Sequence, residues 1–288
     1  YNTHHVDFPR SSDIIKCRQE LPVSKEEFEI IESIIDNDIV LITGATGSGK
    51  TTQIPQFLLE AGFGDAKSLN PGKVVMTQPR RLAVVSSAER IREELGAENY
   101  VSYRTRHESS IFNESLLDIV TDGVLIRELV DSPFLENYSV IILDEVHERS
   151  YNNDFLIAML CKVVRIRNDA KSSRAPLRLI LMSATMQEEI IQFVGSFGSH
   201  RLVSVQGQTF PVNVHYNRTN PEDYVEAVSK KVKKIISRLP AGKILAFLPS
   251  KADLRACEES LGRLDGINIL CVHGSMSKSQ QTEIFNTT

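Results

Sequence analysis

Short apolar runs punctuate the first two thirds of the chain, and segments with helical spacing separate them. Runs at Ile39–Ile42, Lys73–Thr77, Leu117–Thr121, Val140–Leu143 and Leu177–Met182 predict strands. Several are apolar throughout, as expected of parallel strands covered on both faces. Between them the spacing predicts helices over Thr52–Glu60, Leu82–Leu95 (closed by Gly96) and Asp154–Arg167. Upstream, Ser24-Lys25-Glu26-Glu27 has the form of a capping box, and Phe28, Ile31, Ile34 and Ile35 give the following helix an apolar face. Alternation of strand and helix predicts a doubly wound α/β domain.

A break falls near residues 196–211, which hold Gly198, Gly207 and Pro211. A second α/β pattern follows. Tyr224, Val228, Val232, Ile235 and Leu239 recur at helical spacing, and strands at Lys243–Leu248 and Ile267–Val272 flank a helix from Lys251. The predicted organisation is a leader or linker over 1–20, a first domain over 21–205 and a second over 206–288. Lys230, Lys231, Lys233 and Lys234 lie off the apolar face of their helix, so a solvated face is a better reading than a nuclear-localisation patch.

The loop after the first strand carries the strongest chemistry. Gly44-Ala45-Thr46-Gly47-Ser48-Gly49-Lys50-Thr51 sits between an apolar strand and a helix opening at Thr52. Glycines let successive N–H groups turn toward phosphate oxygens, and the positive end of the next helix adds to the attraction. Lys50 can reach the β- and γ-phosphates, and the Thr51 hydroxyl can ligate Mg²⁺. A second element is the apolar strand Val140-Ile141-Ile142-Leu143, which ends in Asp144-Glu145. In a P-loop protein these carboxylates complete the nucleotide site. Asp144, with Glu145 beside it, would hold Mg²⁺, and Glu145 would orient and deprotonate the attacking water.

Bulk properties narrow the rest. The chain is 41% apolar and 24% charged, an ordinary globular composition able to bury a sizeable core. Net charge is −4, so there is no global basic field, and any nucleic-acid contact must come from a local groove. Cys17, Cys161, Cys257 and Cys271 match no zinc or disulfide spacing, which favours reduced thiols in a nuclear or cytosolic compartment over secretion. No apolar run approaches the ~20 residues of a membrane helix.

Asp144-Glu145-Val146-His147-Glu148-Arg149 resembles the DExH box of superfamily-2 helicases in its DEAH-box RNA helicase form, with Val where that family usually has Ala. Other family motifs occur in the family's order: Thr77-Gln78-Pro79-Arg80-Arg81, Thr121-Asp122-Gly123, Ser183-Ala184-Thr185, Phe210-Pro211-Val212 and Leu245-Ala246-Phe247-Leu248-Pro249-Ser250. The resemblance covers roughly residues 20 to 288 and implies two RecA-like domains with ATP and Mg²⁺ as cofactors. It also implies roles that spacing alone does not give. Ser183 and Thr185 would couple nucleotide state to domain movement, and His147 would sit between them and the nucleotide. Arg80, Arg81, Arg106 and Thr121 would grip the backbone of single-stranded RNA, although Thr105 and His107 depart from the family's usual residues around Arg106. Arg90 and Phe285 would stack on adenine. The family's last motifs lie C-terminal to Phe285, so the resemblance implies an incomplete second domain in a piece of a longer protein.

Val101-Ser102-Tyr103, Pro221-Glu222-Asp223-Tyr224 and Leu239-Pro240-Ala241-Gly242 resemble the ribosome-assembly branch of that family, which implies a nuclear or nucleolar protein and leaves room for a protein activator. The expected function is ATP-dependent RNA remodelling. Two alternatives remain at this point: another P-loop ATPase, and a catalytically inert nucleotide- or RNA-binding module.

Overall fold

A computed structural model of the chain describes residues 5–207, 212–264, 266–274 and 276. The chain divides into two compact units, Tyr1–Phe210 and Pro211–Thr288. The first contains α1 (Ser12–Glu20), α2 (Glu27–Asp36), β1 (Ile39–Gly44), α3 (Lys50–Glu60), β2 (Lys73–Gln78), α4 (Arg81–Leu95), β3 (Val101–Arg104), β4 (Ser109–Ser110) and β5 (Leu117–Thr121). It continues through α5 (Asp122–Asp131), β6 (Tyr138–Leu143), α6 (Tyr151–Arg167), β7 (Arg178–Ser183), α7 (Glu188–Gly195) and β8 (His200–Val205). The second unit contributes α8 (Tyr224–Arg238) and α9 (Lys251–Leu261).

Among the described residues, eight strands form one sheet in the order β4-β3-β5-β2-β6-β7-β1-β8. Every ladder is parallel except β3 with β4. Residues alternate faces along a strand, and here both faces are apolar. Val40, Ile42, Val74, Met76, Val140 and Ile142 face α2, α3 and α4. Ile39, Leu41, Val75, Ile141 and Leu143 face α5, α6 and α7. Covering on both sides is why these strands read as continuous apolar runs. Gly96 ends α4 in the left-handed conformation, with its N–H on Arg92 O, as the pattern predicted.

β3, β4 and β8 escape the hydrophobic pattern. They lie at the sheet margins, where one side of a strand meets polar groups. His200, Arg201 and Leu202 of β8 are exposed. Arg104 of β3 pairs with Glu128 and Asp118 rather than with the core. The region expected as a leader contains α1, capped by the Ser11 hydroxyl accepting from Ile14 N–H. No residue of α1 is buried, so it has no apolar stripe. Charged side chains attach this region instead: Arg10 and Arg18 both pair with Glu60 of α3.

The expected capping box is not formed. Pro22–Glu26 is a 3-10 turn, and the Ser24 hydroxyl donates to Arg18 O at 2.6 Å. Helix α2 buries Ile30 and Ile34, and Phe28 points outward at 80% exposure. In the second unit, α8 and α9 form as expected and the lysines of α8 are exposed. The predicted strands at 243–248 and 267–272 join no ladder among the described residues. Leu245 and Phe247 lie largely in solvent. A β pattern supplies side chains for a sheet but not the neighbouring strand that ladder hydrogen bonds need.

The two-sided core implies a sharp asymmetry in mutational cost. Ile142→Ala, in the central strand β6, should destabilise the first unit by about 2–5 kcal/mol, because it removes a fully buried side chain and leaves a cavity. Phe28→Ala should change stability by less than about 0.5 kcal/mol. Urea unfolding of both variants measures the difference, and comparable losses would contradict the packing described.

Candidate functional site

β1, β7 and β6 are adjacent parallel strands, so the segments leaving their carboxyl ends converge on one edge of the sheet. The glycine-rich loop follows β1, Ser183 and Thr185 sit at the end of β7, and Asp144 and Glu145 follow β6. Open parallel sheets place ligand sites at this edge because it gathers loop ends and helix N-termini.

The loop's geometry depends on two glycines. Gly49 has φ +93°, and a Cβ there would lie 3.0 Å from Val23 Cγ1 and 3.1 Å from Leu21 Cδ1. A Cβ on Gly44 would lie 2.9 Å from Val205 Cβ. Any side chain at either position would force the loop outward. Lys50, the first residue of α3, turns back over the loop. Its ammonium donates to Gly44 O at 2.6 Å and Ala45 O at 3.2 Å and lies 3.3 Å from Ser48 Oγ. Burial lowers the Lys50 pKa, and the charges of Asp144 and Glu145 oppose the fall. A buried cation held by carbonyls, at a helix N-terminus, is a receptor for a multivalent anion.

Asp144 is the most constrained carboxylate of the site, at 1% exposure. Oδ2 accepts from the Thr51 hydroxyl at 2.6 Å and from Gln78 Nε2 at 2.5 Å, and Oδ1 accepts from the Glu145 amide at 2.8 Å. Burial pushes its pKa up to about 6; the Glu145 charge adds to the rise, while the hydrogen bonds oppose it. Because the folded pKa exceeds the usual carboxylate value, this group's contribution to stability falls as pH rises from about 4 through 6. Asp144, Thr51 and Glu145 are hard oxygen donors, and a bound divalent cation would favour the charged carboxylate. The donor set therefore fits Mg²⁺.

Glu145 and Arg149 both adopt left-handed backbone, with φ 55° and 49°, on either side of a 3-10 turn at Val146–Glu148. In non-glycine residues this conformation carries strain on the order of 1–3 kcal/mol, held in place here by the surrounding contacts. Two partners fix the Arg149 end: its guanidinium pairs with Asp154 and donates to Gln187. The turn presents consecutive side chains to different neighbours. Glu145 lines a cavity at the mouth of the glycine-rich loop. His147 Nδ1 lies 3.4 Å from Glu145 Oε2 and 3.3 Å from Ser183 Oγ, and Ser183 donates to Thr185 O at 2.5 Å. Glu148 pairs with Arg80 at 3.1 Å.

That cavity, of about 360 Å³, joins Lys50, Thr51, Asp144 and Glu145, while His147, Ser183 and Thr185 lie outside its lining. Of the residues read from sequence, Thr46, Gly47, Gly49, Lys50, Thr51, Thr52, Arg90, Asp144 and Glu145 line it, whereas Gly44, Ala45 and Ser48 form the loop without lining it. Leu21, Glu94 and Ala184 line it as well, and sequence reasoning did not reach them. Ala184 could have been found, being the middle of the Ser-Ala-Thr triplet. Leu21 and Glu94 carry no motif and arrive by packing alone. Gln78 was visible only as part of Thr77-Gln78-Pro79-Arg80-Arg81. Arg90 is held by Glu94 at 2.7 Å and Glu93 at 3.1 Å. Phe285, its expected counterpart, lies outside the described residues, as do Phe210 and Pro211.

The expected RNA residues sit along the same sheet edge, on the other half. Arg80 and Arg81 follow β2, Thr121 ends β5, and Arg106 lies in the turn after β3. Arg80, Arg81 and Arg106 are exposed and Thr121 is partly so.

Comparison with known proteins identifies the family. The DEAD/DEAH box helicase family matches residues 26–193, and the helicase conserved C-terminal domain matches residues 227–288. Among relatives named as ATP-dependent RNA helicases, PB1A10.06c of Schizosaccharomyces pombe is 44% identical over 88% of this chain and 22% of its own length. DHR1 of Saccharomyces cerevisiae is 42% identical over 87% of this chain and 20% of its own length, and human DHX37 is 41% identical over 86% and 21%. The chain thus spans about a fifth of the length of these relatives. The crystal structure of HrpB, a DEAH/RHA helicase of Escherichia coli, superposes with a TM-score of 0.76 at 28% identity, covering 92% of this chain and 32% of that one. With the first family match alone extending over more than half of the residues, the chain belongs to the DEAD/DEAH box helicase family.

Proposed function

We propose that this chain provides the ATP-hydrolysing and RNA-gripping core of an ATP-dependent RNA helicase. The observation that carries the reading is the shared cavity in which a buried lysine, a hydroxyl and a buried carboxylate meet, with Thr51 Oγ1 at 2.6 Å from Asp144. A second support is the family membership itself, since the relatives are named as ATP-dependent RNA helicases.

In this reading the loop amides and Lys50 bind the β- and γ-phosphates. Thr51 and Asp144, with Glu145 adjacent, hold Mg²⁺, which when bound neutralises phosphate charge. Glu145 is the general base. Its left-handed backbone and its contact with His147 set the partly exposed side chain at the cavity. Ser183 and Thr185, linked to His147, report the state of the cavity along β7. Arg90 stacks on the base. Arg80, Arg81, Arg106 and Thr121 bind the phosphate backbone of single-stranded RNA without reading sequence. Arg80 must then exchange Glu148 for phosphate, an exposed pair that costs little to break. We extend the proposal to ribosome assembly in the nucleus or nucleolus, with a protein activator, on the short segments that resemble that branch. Among the described residues, no helix is long and apolar enough to cross a membrane.

Two mutations separate binding from chemistry in the intact protein. Lys50→Ala should abolish most Mg²⁺-ADP binding measured by calorimetry. Glu145→Gln should bind ADP like wild type yet lose roughly 10²–10⁴-fold in turnover, because the amide keeps the shape of the base but cannot take a proton. Near-wild-type hydrolysis in Glu145→Gln would remove it as the base. Equal ADP affinity in wild type and Lys50→Ala would sink the nucleotide-site assignment, and an intact wild-type protein that binds ADP without hydrolysing ATP would favour an inert module.

The RNA assignment makes a different demand. Arg80→Ala with Arg81→Ala should weaken single-strand RNA binding by a similar factor for unrelated sequences. It should also shallow the dependence of log K on log salt by roughly 0.7 for each phosphate that the two arginines no longer neutralise. A loss restricted to one sequence would point to base reading and contradict the groove.

A further inference from the structure

The N-terminal segment is built into the nucleotide site. The buried Val23 donates its N–H to Ser48 O at 3.1 Å, and Val23 and Leu21 fill the space that a Gly49 side chain would need. Leu21 also lines the cavity. From the same segment, Arg18 Nε donates to Gln53 Oε1 at 2.6 Å. Gln53 Nε2 donates onward to Glu94 Oε2 at 2.8 Å, joined there by Gln56 Nε2 at 2.7 Å. Glu94 Oε1 receives Arg90 Nε at 2.7 Å. A continuous chain of hydrogen bonds therefore runs from α1, through α3, to a cavity-lining guanidinium on α4.

The chemistry of each link has a direction. An amide presents an oxygen on one side and an NH₂ on the other. The Arg18 guanidinium can only donate, so it fixes the Gln53 oxygen toward itself and the NH₂ toward Glu94. Gln53 Nε2 also donates to Thr52 Oγ1 at 2.9 Å, so without Arg18 the amide can keep facing Glu94 only by leaving its buried oxygen without a donor, and turning to find one would set that oxygen against a carboxylate. Gln53 is fully buried and Glu94 is 3% exposed, so water offers little compensation. Burial alone would raise the Glu94 pKa; the bonds from Gln53, Gln56 and Arg90 outweigh it and lower the pKa, which matches a carboxylate kept charged to hold Arg90. The lining of the cavity is of two chemical kinds: Lys50, Thr51 and Asp144 suit phosphates and metal, whereas apolar Leu21 and the planar Arg90 suit an aromatic ring.

We propose that Arg18 is a positioning residue for the base of a bound nucleotide, acting through Gln53 and Glu94 to hold the Arg90 guanidinium as a stacking surface. This rests on the nucleotide reading above. It gives the segment ahead of the P-loop a share in selecting nucleotides over bare polyphosphate.

The test compares two ligands on the intact protein: Mg²⁺-ADP, and Mg²⁺-tripolyphosphate, which has no base. Arg18→Met keeps an unbranched apolar side chain beside Phe57 while removing the guanidinium that lies over its ring, and leaves Glu60 paired with Arg10. It should weaken ADP by about threefold to tenfold, the scale of a displaced cation–π contact, and leave tripolyphosphate unchanged. Glu94→Gln should do the same, and it carries the test alone should Arg18→Met fail to fold. Adding Arg18→Met to Arg90→Ala should cost nothing further. Wild-type ADP affinity in Arg18→Met or in Glu94→Gln would overturn the proposal. So would an equal loss for both ligands, which would mean that the P-loop itself had been disturbed. The underlying nucleotide reading fails in a different way, through a wild-type protein that binds neither ligand or a Lys50→Ala protein that binds both.

Discussion

The hydrogen bond from Thr51 to Asp144 ties together the parts of this molecule that matter for its chemistry. Thr51 stands at the start of the helix after β1, and Asp144 stands at the end of β6, with β7 between the two strands. A carboxylate buried to this degree is costly unless its oxygens are satisfied. Here a hydroxyl, a side-chain amide and a backbone amide satisfy them. The sheet thus delivers its most demanding polar group to the edge where the P-loop opens, and the cavity forms around it. Moving either strand by one residue would turn that side chain to the other face.

The turn after Asp144 distributes this constraint. Its two left-handed residues bring Glu145, His147 and Glu148 into contact with the cavity, with Ser183 on β7, and with Arg80 beyond β2. Three neighbouring strands are therefore connected through one strained turn of the chain. Such a turn can transmit a change at one neighbour to the others, because few backbone arrangements satisfy all three contacts at once.

Much of this was legible in the sequence, for identifiable reasons. Strands buried on both faces read as apolar runs, so β1, β2, β5, β6 and β7 announced themselves. The P-loop and the Asp-Glu pair are local in sequence and sit at strand ends, so their convergence followed from the alternation of β and α. The margins were not legible: β8 is open to solvent on part of its length, and β3 carries Arg104 into an ionic cluster. Helix α1 was missed because charge, not an apolar stripe, anchors it. Leu21 and Glu94 reach the cavity only through tertiary packing of segments about seventy residues apart, which no local pattern records. The opposite error occurred at 243–248, where a good strand pattern finds no partner among the described residues.

If the buried carboxylate is what organises the site, the metal must act through it. The most direct measurement is calorimetry of ADP binding with and without Mg²⁺, on the wild-type protein and on Asp144→Asn. The account predicts that Mg²⁺ tightens ADP binding to wild type, that the variant loses this gain, and that ADP affinity without metal changes little because Lys50 and the loop are intact. A full Mg²⁺-dependent gain in Asp144→Asn would contradict it, and would place the metal-binding role on some other group.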